Sequence, residues 1–407
     1  MKTSNNNVAA AGFTRREGLF ALVGAVAALS GCGGGGGTDI ASVGSGGTGS
    51  FSSGVITGFG SIIVNGVRFD DSKAKITDDD GVGHNSSDLK LGMVVSITGS
   101  SIVAGVNGST ATATSITFVS ELRGPIDSLG SQTLVVLGQT VRISANTVFD
   151  DSIVGGFAGL AVGQIVEVHG FVDPAGVNAT RIELKNGAPS SKLQGMVQSL
   201  DTTAKTFALG TLTISYAGVA AAALPANLAN GLLVRVILAR TPASGTRTAI
   251  NVRAVARRVD DHDEAEVERT VTAFTSATSF SVNGLSVDAS KAVFRNGTAG
   301  LAVGVRVEVK GSVSNGVLVA TEVKIETENE IEKQEVELNG AVTSLNTTAK
   351  TFVVRGVTVN YASTSRFDDG DAGKLVLVNG TAATVEVKGI FNAATNSVTA
   401  TRIKFKN

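Results

Sequence analysis

The run Leu301-Ala-Val-Gly304-Val-Arg-Val307-Glu-Val309-Lys-Gly311 constrains this chain most, because the chain makes it five times. The pattern Leu-x-x-Gly-x-x-Val-x-(Val/Ile)-x-Gly appears at Leu89 to Gly99 and at Leu160 to Gly170. It recurs at Leu228 to Leu238, where Leu238 replaces the last glycine, and at Leu377 to Gly389, with two extra residues after Gly380. The inner glycines Gly92, Gly163, Gly231, Gly304 and Gly380 lie about 70 residues apart, a period that marks tandem structural units. Apolar residues in the signature alternate with Glu167, His169, Arg306, Glu308, Lys310, Glu386 and Lys388, so each copy predicts a strand with one buried and one wet face.

Each module adds a front half before the signature and a strand after it. Front halves start at Gly54-Val-Ile, Gly124-Pro-Ile, Gly195-Met-Val, Thr270-Val-Thr and Gly340-Ala-Val. Phe280-Ser-Val282-Asn-Gly284-Leu-Ser-Val287 reads as a strand, an Asn-Gly turn and a second strand. Closing strands follow at Ala113-Thr-Ser-Ile116, Ala179-Thr-Arg-Ile182, Ala320-Thr-Glu-Val323 and Ala400-Thr-Arg-Ile403, while the third module offers only Ala254-Val-Ala. Ser199 to Phe207 nearly repeats Ser344 to Phe352, which duplication explains most simply. The Ala-rich run Val219 to Leu224 suits a short helix over one barrel end.

About five strands in such a length leave no room for crossover helices. The fold class is therefore all-β: a tandem array of about five small antiparallel barrels, closed because closure removes open strand edges. Such a barrel resembles an OB-fold, and an immunoglobulin sandwich needs about 100 residues. The expected modules are 54–121, 122–187, 191–259, 264–329 and 335–407. The charged stretches Arg257 to Arg269 and Glu326 to Glu337 read as solvated connectors, and Asn186 to Ser191 as a shorter break. A lone barrel of this size without disulfides is marginal, so the modules should pack on one another.

The chain opens differently. Arg15-Arg16 precede the apolar run Leu19 to Leu29, too short to span a bilayer but suited to a signal-peptide core. Leu29-Ser30-Gly31-Cys32 then looks like a bacterial lipobox, with Cys32, the one cysteine in the chain, as the lipidated residue. Residues 1–31 thus read as a lipoprotein signal peptide. Residues 32–53 read as the anchor and a Gly/Ser-rich tether. Thr14 to Phe20 also resembles a twin-arginine signal, departing from it at Gly18. Arg15 and Arg16 serve equally well as the basic end of an ordinary secretory signal. Gly33 after the cysteine implies outer-membrane sorting by the same resemblance.

Net charge is −1, and losing the leader makes it about −3, which offers no basic stripe for a nucleic acid. Metal chemistry has thin support. His84, His169 and His262 come without a second His or Cys at a zinc spacing. His169 occupies an outward position that other copies fill with Thr98, Ile237, Lys310 and Lys388, so it reads as a surface residue. Calcium is the better candidate metal, at Asp78, Asp79 and Asp80 or at Asp368, Asp369 and Asp371. Neither cluster follows the EF-hand spacing, and Asp-Gly runs are ordinary turns. No cofactor motif and no catalytic triad is present in the sequence.

The full repeat (Gly-x-Val-x-x-Leu, Phe-x-Val-x-Gly-x-x-Val, the signature, Ala-Thr-x-Ile) resembles a bacterial domain-of-unknown-function family found in tandem on secreted proteins and lipoproteins. Its motifs are core residues and structural glycines, so it brings no catalytic residue. The expectation is a non-enzymatic, lipid-anchored envelope protein that presents a binding surface. The partner is a protein or an envelope polysaccharide, with the protein favoured because so few aromatics are available for stacking sugars. The alternatives are a passive spacer or adhesin stalk, and a carboxylate-based glycan hydrolase.

Overall fold

The computed structural model describes residues 49–106, 108–187, 190–239, 246–255, 259–327, 335–375 and 383–406. The signal peptide, Cys32 and most of the tether lie outside them. The rest forms five barrels built one way. In the second module a front strand (Leu122–Leu129) pairs with a hairpin (Thr133–Val136 and Gln139–Arg142). The hairpin's second strand runs parallel to the closing strand Gly176–Leu184, which pairs with the signature strand Ile165–Asp173, which returns to the front strand. Front, first, second, closing, signature and back to front is the circular order of an OB-fold, including its parallel contact. The other four modules close in the same order.

The signature's two glycines have separate reasons. Gly92, Gly163, Gly231 and Gly304 all sit at φ between +83° and +93°, where a side chain would strain the turn. Each donates its N–H to the front strand: to Ile56, Gly163's to Ile126, Gly231's to Val197 and Gly304's to Val271, at 2.8–3.0 Å. The last glycine marks a β-bulge against the closing strand, and a Cβ on Gly311 would lie 2.0 Å from the Val319 carbonyl oxygen. Across that bulge sits the small alanine of the closing strand: Ala113, Ala179, Ala320 or Ala400. In the third module Leu238 faces Ala249 there. The closing motif of that module is therefore Ala249-Ile-Asn-Val252, not the Ala254-Val-Ala expected, because the bulge and not the Thr sets the register. Val219 to Leu224 holds only a short 3-10 turn, Ala221–Ala223, with Val219 and Leu224 packed on the core.

The modules are clustered rather than strung in a line. Each front strand outruns its own hairpin, and its first half keeps one unpaired edge. The fourth module's strand His262–Ser276 pairs with its hairpin only from Val271 onward. Its free edge at Glu264 to Val267 takes Ser50 to Ser53 of the first module as a parallel strand. The fifth module's Glu337 and Leu338 take Gly58 and Phe59 in the same way. The second and third modules join antiparallel, Leu122 and Arg123 against Leu193 and Lys192. Modules one, four and five thus share one continuous sheet, and two and three another.

The first barrel accordingly begins at Ser50, inside the stretch expected to be tether. Phe51 is 4% exposed and completes the fourth module's core beside Val267 and Val313. Buried Arg269 of that module donates to Ser53 Oγ (2.8 and 3.0 Å) and to the Val95 carbonyl (3.0 Å), fixing the strap from the other side. The fourth module likewise starts at His262, ahead of the expected boundary, so its acidic connector is partly strand. Replacing Gly311 with alanine should cost about 2–4 kcal/mol in chemical denaturation, since carbonyl and methyl cannot share that space. A loss under about 0.5 kcal/mol would show that the bulge tolerates a side chain.

Candidate functional site

Charged side chains and the module contacts meet in two places, and they do different work. The first is the junction of modules one, two and three. Lys192, almost fully buried, reaches Asp79 Oδ1 (2.9 Å) and Asp80 Oδ2 (3.2 Å), and Arg235 pairs with Asp79 as well. Arg253 adds a bond to the Asp79 carbonyl oxygen (3.0 Å). Asp78 folds its own loop instead, accepting the Asp80 and Val82 N–H groups at 3.0 and 2.8 Å. Of the carboxylates considered for calcium, all but that of Asp369 bond the chain's own cations or turns. In the fifth module Asp368 binds Arg366 (2.7 Å) and Arg402 (2.5 Å), while Asp371 accepts the Gly373 N–H (2.8 Å). Asp369 has its backbone at φ +63°, and its carbonyl takes Lys374.

His169 corrects the surface reading outright: it is 0% exposed. Neighbouring modules cover that face of the second barrel. His169 Nδ1 lies 2.8 Å from the Val119 carbonyl, which can only accept, so Nδ1 carries the proton. Burial pushes its pKa down, against the pull of Glu183 and Glu167. The three residues are close enough to suggest a metal. The ammonium of Lys185 already bridges the two carboxylates, 3.0 Å from Glu167 and 2.7 Å from Glu183. Arg181 holds the second oxygen of Glu183 at 2.5 Å. With two cations in place, the cluster is an ion-pair network and not a metal cradle.

The second place is a cavity of about 870 Å³ where modules one, two, four and five meet, within the size range of small-ligand sites. The second module supplies most of its wall. The fifth closes over it with its Asn392 to Ser397 turn, where Asn396 sits at φ +45°. The Asn396 side chain accepts the Phe149 N–H (3.1 Å) and donates to its carbonyl (2.9 Å), mimicking a strand partner. Ala393 N–H reaches the Ala145 carbonyl at 2.8 Å. From the fourth module comes Arg306, its guanidinium carbon 4.1 Å from the Phe171 ring centroid and its Nη2 2.6 Å from Glu268. Arg142 in the second module is held by Asp173 and by Asn178 Oδ1 (2.8 Å). Both cations are thus balanced, and no Asp, Glu, His, Lys, Cys or Tyr appears among the described residues of the lining.

None of the candidate lipidation, export or metal residues singled out in the sequence lies in this wall, although repeat positions such as Gly92, Ala179, Thr270, Gly304 and Arg306 do. The one signal was indirect: of 17 phenylalanines in the chain, Phe149, Phe157, Phe171 and Phe391 line this single space. The first three belong to the second module, and only Phe391 of the fifth arrives through a contact between modules, which no repeat pattern encodes.

These barrels are of the OB-like class. Three segments, residues 123–183, 270–324 and 339–404, match the sequence model of a family described as "Domain of unknown function (DUF5666)", one after another along the chain. No curated protein matches the chain. Among solved structures it is similar to "drosophila Unr CSD456", at 17% identity over 43% of this chain and 84% of that one, with a TM-score of 0.15. So loose a superposition carries no argument, and the fold rests on the strand order.

Glu167 and Glu183 are pushed up by burial, yet His169, Lys185, Lys192 and Ser120 hold the first at about 2, and Arg181, His169 and Lys185 hold the second at about 2. Both sit below an unfolded value of about 4.3. Their contribution is therefore complete above that value and lost as pH falls towards 2. Amide protection at Leu193 and Gln194, corrected for intrinsic exchange, should drop between pH 4.5 and 2.5. Unchanged protection down to pH 2 would show that the network does not hold this junction.

Proposed function

We propose that this chain is a non-enzymatic, lipid-anchored cell-envelope protein whose clustered barrels hold a ligand in the inter-module cavity. The cavity carries the reading: a passive spacer needs well-packed junctions, and here four modules leave a space of about 870 Å³ lined by side chains of mixed character. The hydrolase alternative needs two carboxylates facing a substrate, or a base beside a nucleophile. The described lining offers neither, and its Ser and Thr hydroxyls have no group beside them in the wall to activate them.

The anchor rests on Leu29 to Cys32 and on the basic pair Arg15 and Arg16. The first barrel's strand starts at Ser50, so fewer residues separate it from Cys32 than the 32–53 stretch expected. The protein would therefore work close to the outer membrane that holds it. Among the described residues no helix is long and apolar enough to cross a membrane.

Ala394 is exposed at the cavity wall, and Ala394→Trp places an indole inside the space. An envelope extract that contains the ligand should raise the melting temperature of the wild-type protein, by about 2.7 kcal/mol of stabilisation at 100 times its Kd. The shift should vanish in the Trp variant. Equal shifts in both proteins would place binding elsewhere and overturn the assignment to this cavity.

A further inference from the structure

Resting on that reading of the cavity, we infer that its ligand is a neutral glycan segment: a short run of uncharged sugar units stacked on phenylalanine and hydrogen-bonded by side-chain amides. Three features of the wall point to it. First, the aromatics are concentrated. The chain has no Trp and two Tyr, yet four phenylalanines border this space: Phe149, Phe171 and Phe391 are buried behind the wall, and Phe157, partly exposed, presents the open ring. The apolar C–H face of a sugar ring packs on such a ring, as other apolar surface does.

Second, the charge is cancelled. The two arginines of the wall are bound, Arg142 to Asp173 and Arg306 to Glu268, and the described lining holds no carboxylate of its own. An anionic ligand would have to displace a carboxylate that is already in place, and a cationic one would find no counter-charge. A neutral polar ligand meets neither cost.

Third, hydrogen-bonding groups remain at the rim. Gln132 and Asn392 are exposed wall residues that carry amides, each able to donate and accept. Asn392 Oδ1 already accepts the Ala394 N–H at 2.9 Å, which fixes the side chain and leaves its NH₂ as the donor. Paired donors and acceptors beside an aromatic floor suit vicinal hydroxyls.

The test is calorimetric titration of the full-length mature protein with neutral oligosaccharides (gluco-, chito- and manno-oligomers of four to six units, chosen by size) and, in parallel, with uronic-acid oligomers and inorganic phosphate. Phe157→Ala and Gln132→Ala report on stacking and hydrogen bonding. Phe157 is only half buried and Gln132 is exposed, so both should fold, and an unchanged melting temperature without ligand checks that. The proposal expects at least one neutral series to bind, about tenfold more weakly in Phe157→Ala and measurably more weakly in Gln132→Ala. It also expects Ala394→Trp to abolish binding. Uronate or phosphate binding in place of the neutral series would overturn the glycan class while leaving the cavity a binding site. Failure of every neutral series, with the envelope-extract shift still abolished by Ala394→Trp, would do the same. Neutral binding that ignores all three substitutions would overturn the site.

Discussion

A closed barrel should have no free strand edge, yet each barrel here leaves one, and the architecture follows from how those edges are satisfied. The front strand is longer than the hairpin that covers it, so the N–H and C=O groups of its first half face outward on one side. Left bare, such an edge invites aggregation. In this chain the edges pair with one another: first module with fourth and fifth, second with third. Small cores that are marginal alone thereby become parts of one body. The cavity lies where the second module meets the first, fourth and fifth, none of which it joins through a strand edge.

The charged residues that interrupt the apolar alternation serve those contacts. In an isolated barrel they would be solvated. Here Lys192 and Arg235 are buried with Asp79 across two modules, and Glu167 and Glu183 sit among Lys185, Arg181 and His169. Pairs buried this way contribute little over a well-packed apolar contact, but they penalise any misregistered arrangement in which one partner is stranded. Glu266, beside the strap, is the opposite case: burial and its neighbour Glu308 push it up to about 8, with Lys310 shared between the two carboxylates. That strand interface therefore carries a carboxyl poised to take up a proton, where the other junction holds its carboxylates firmly ionised.

Much of each barrel was legible in the sequence, because local constraints write themselves as residue types. Positive φ and a carbonyl 2.0 Å from a would-be Cβ demand glycine at Gly304 and Gly311. Alternation marks the signature strand, and a small residue must face the bulge. Contacts between copies leave no such mark. His169 stood in a position that other copies fill with a surface side chain, and only the neighbouring module's Val119 carbonyl shows it to be buried. Ser50 to Ser53 have a tether's composition, and become strand because they fit between the fourth module's edge and their own module's signature strand. The cavity was invisible for the same reason: Phe391 of the fifth module joins the phenylalanines of the second only when the copies assemble. Even the calcium question turned on this, since Asp79 and Asp80 look like free ligands until Lys192 arrives from another module.

The account stands or falls on the strap. Calorimetric melting of the chain beginning at Gly54, compared with the same chain beginning at Gly46, removes the Ser50 to Ser53 segment, Phe51 included, from between the fourth module's edge and the first module's signature strand. The account predicts that the shorter chain melts earlier and in separated transitions, with the fourth module first, since it loses a β-partner, a core residue and the Ser53 acceptor of Arg269. A single transition at the same temperature in both chains would contradict it, and would mean that the barrels cohere without paired edges.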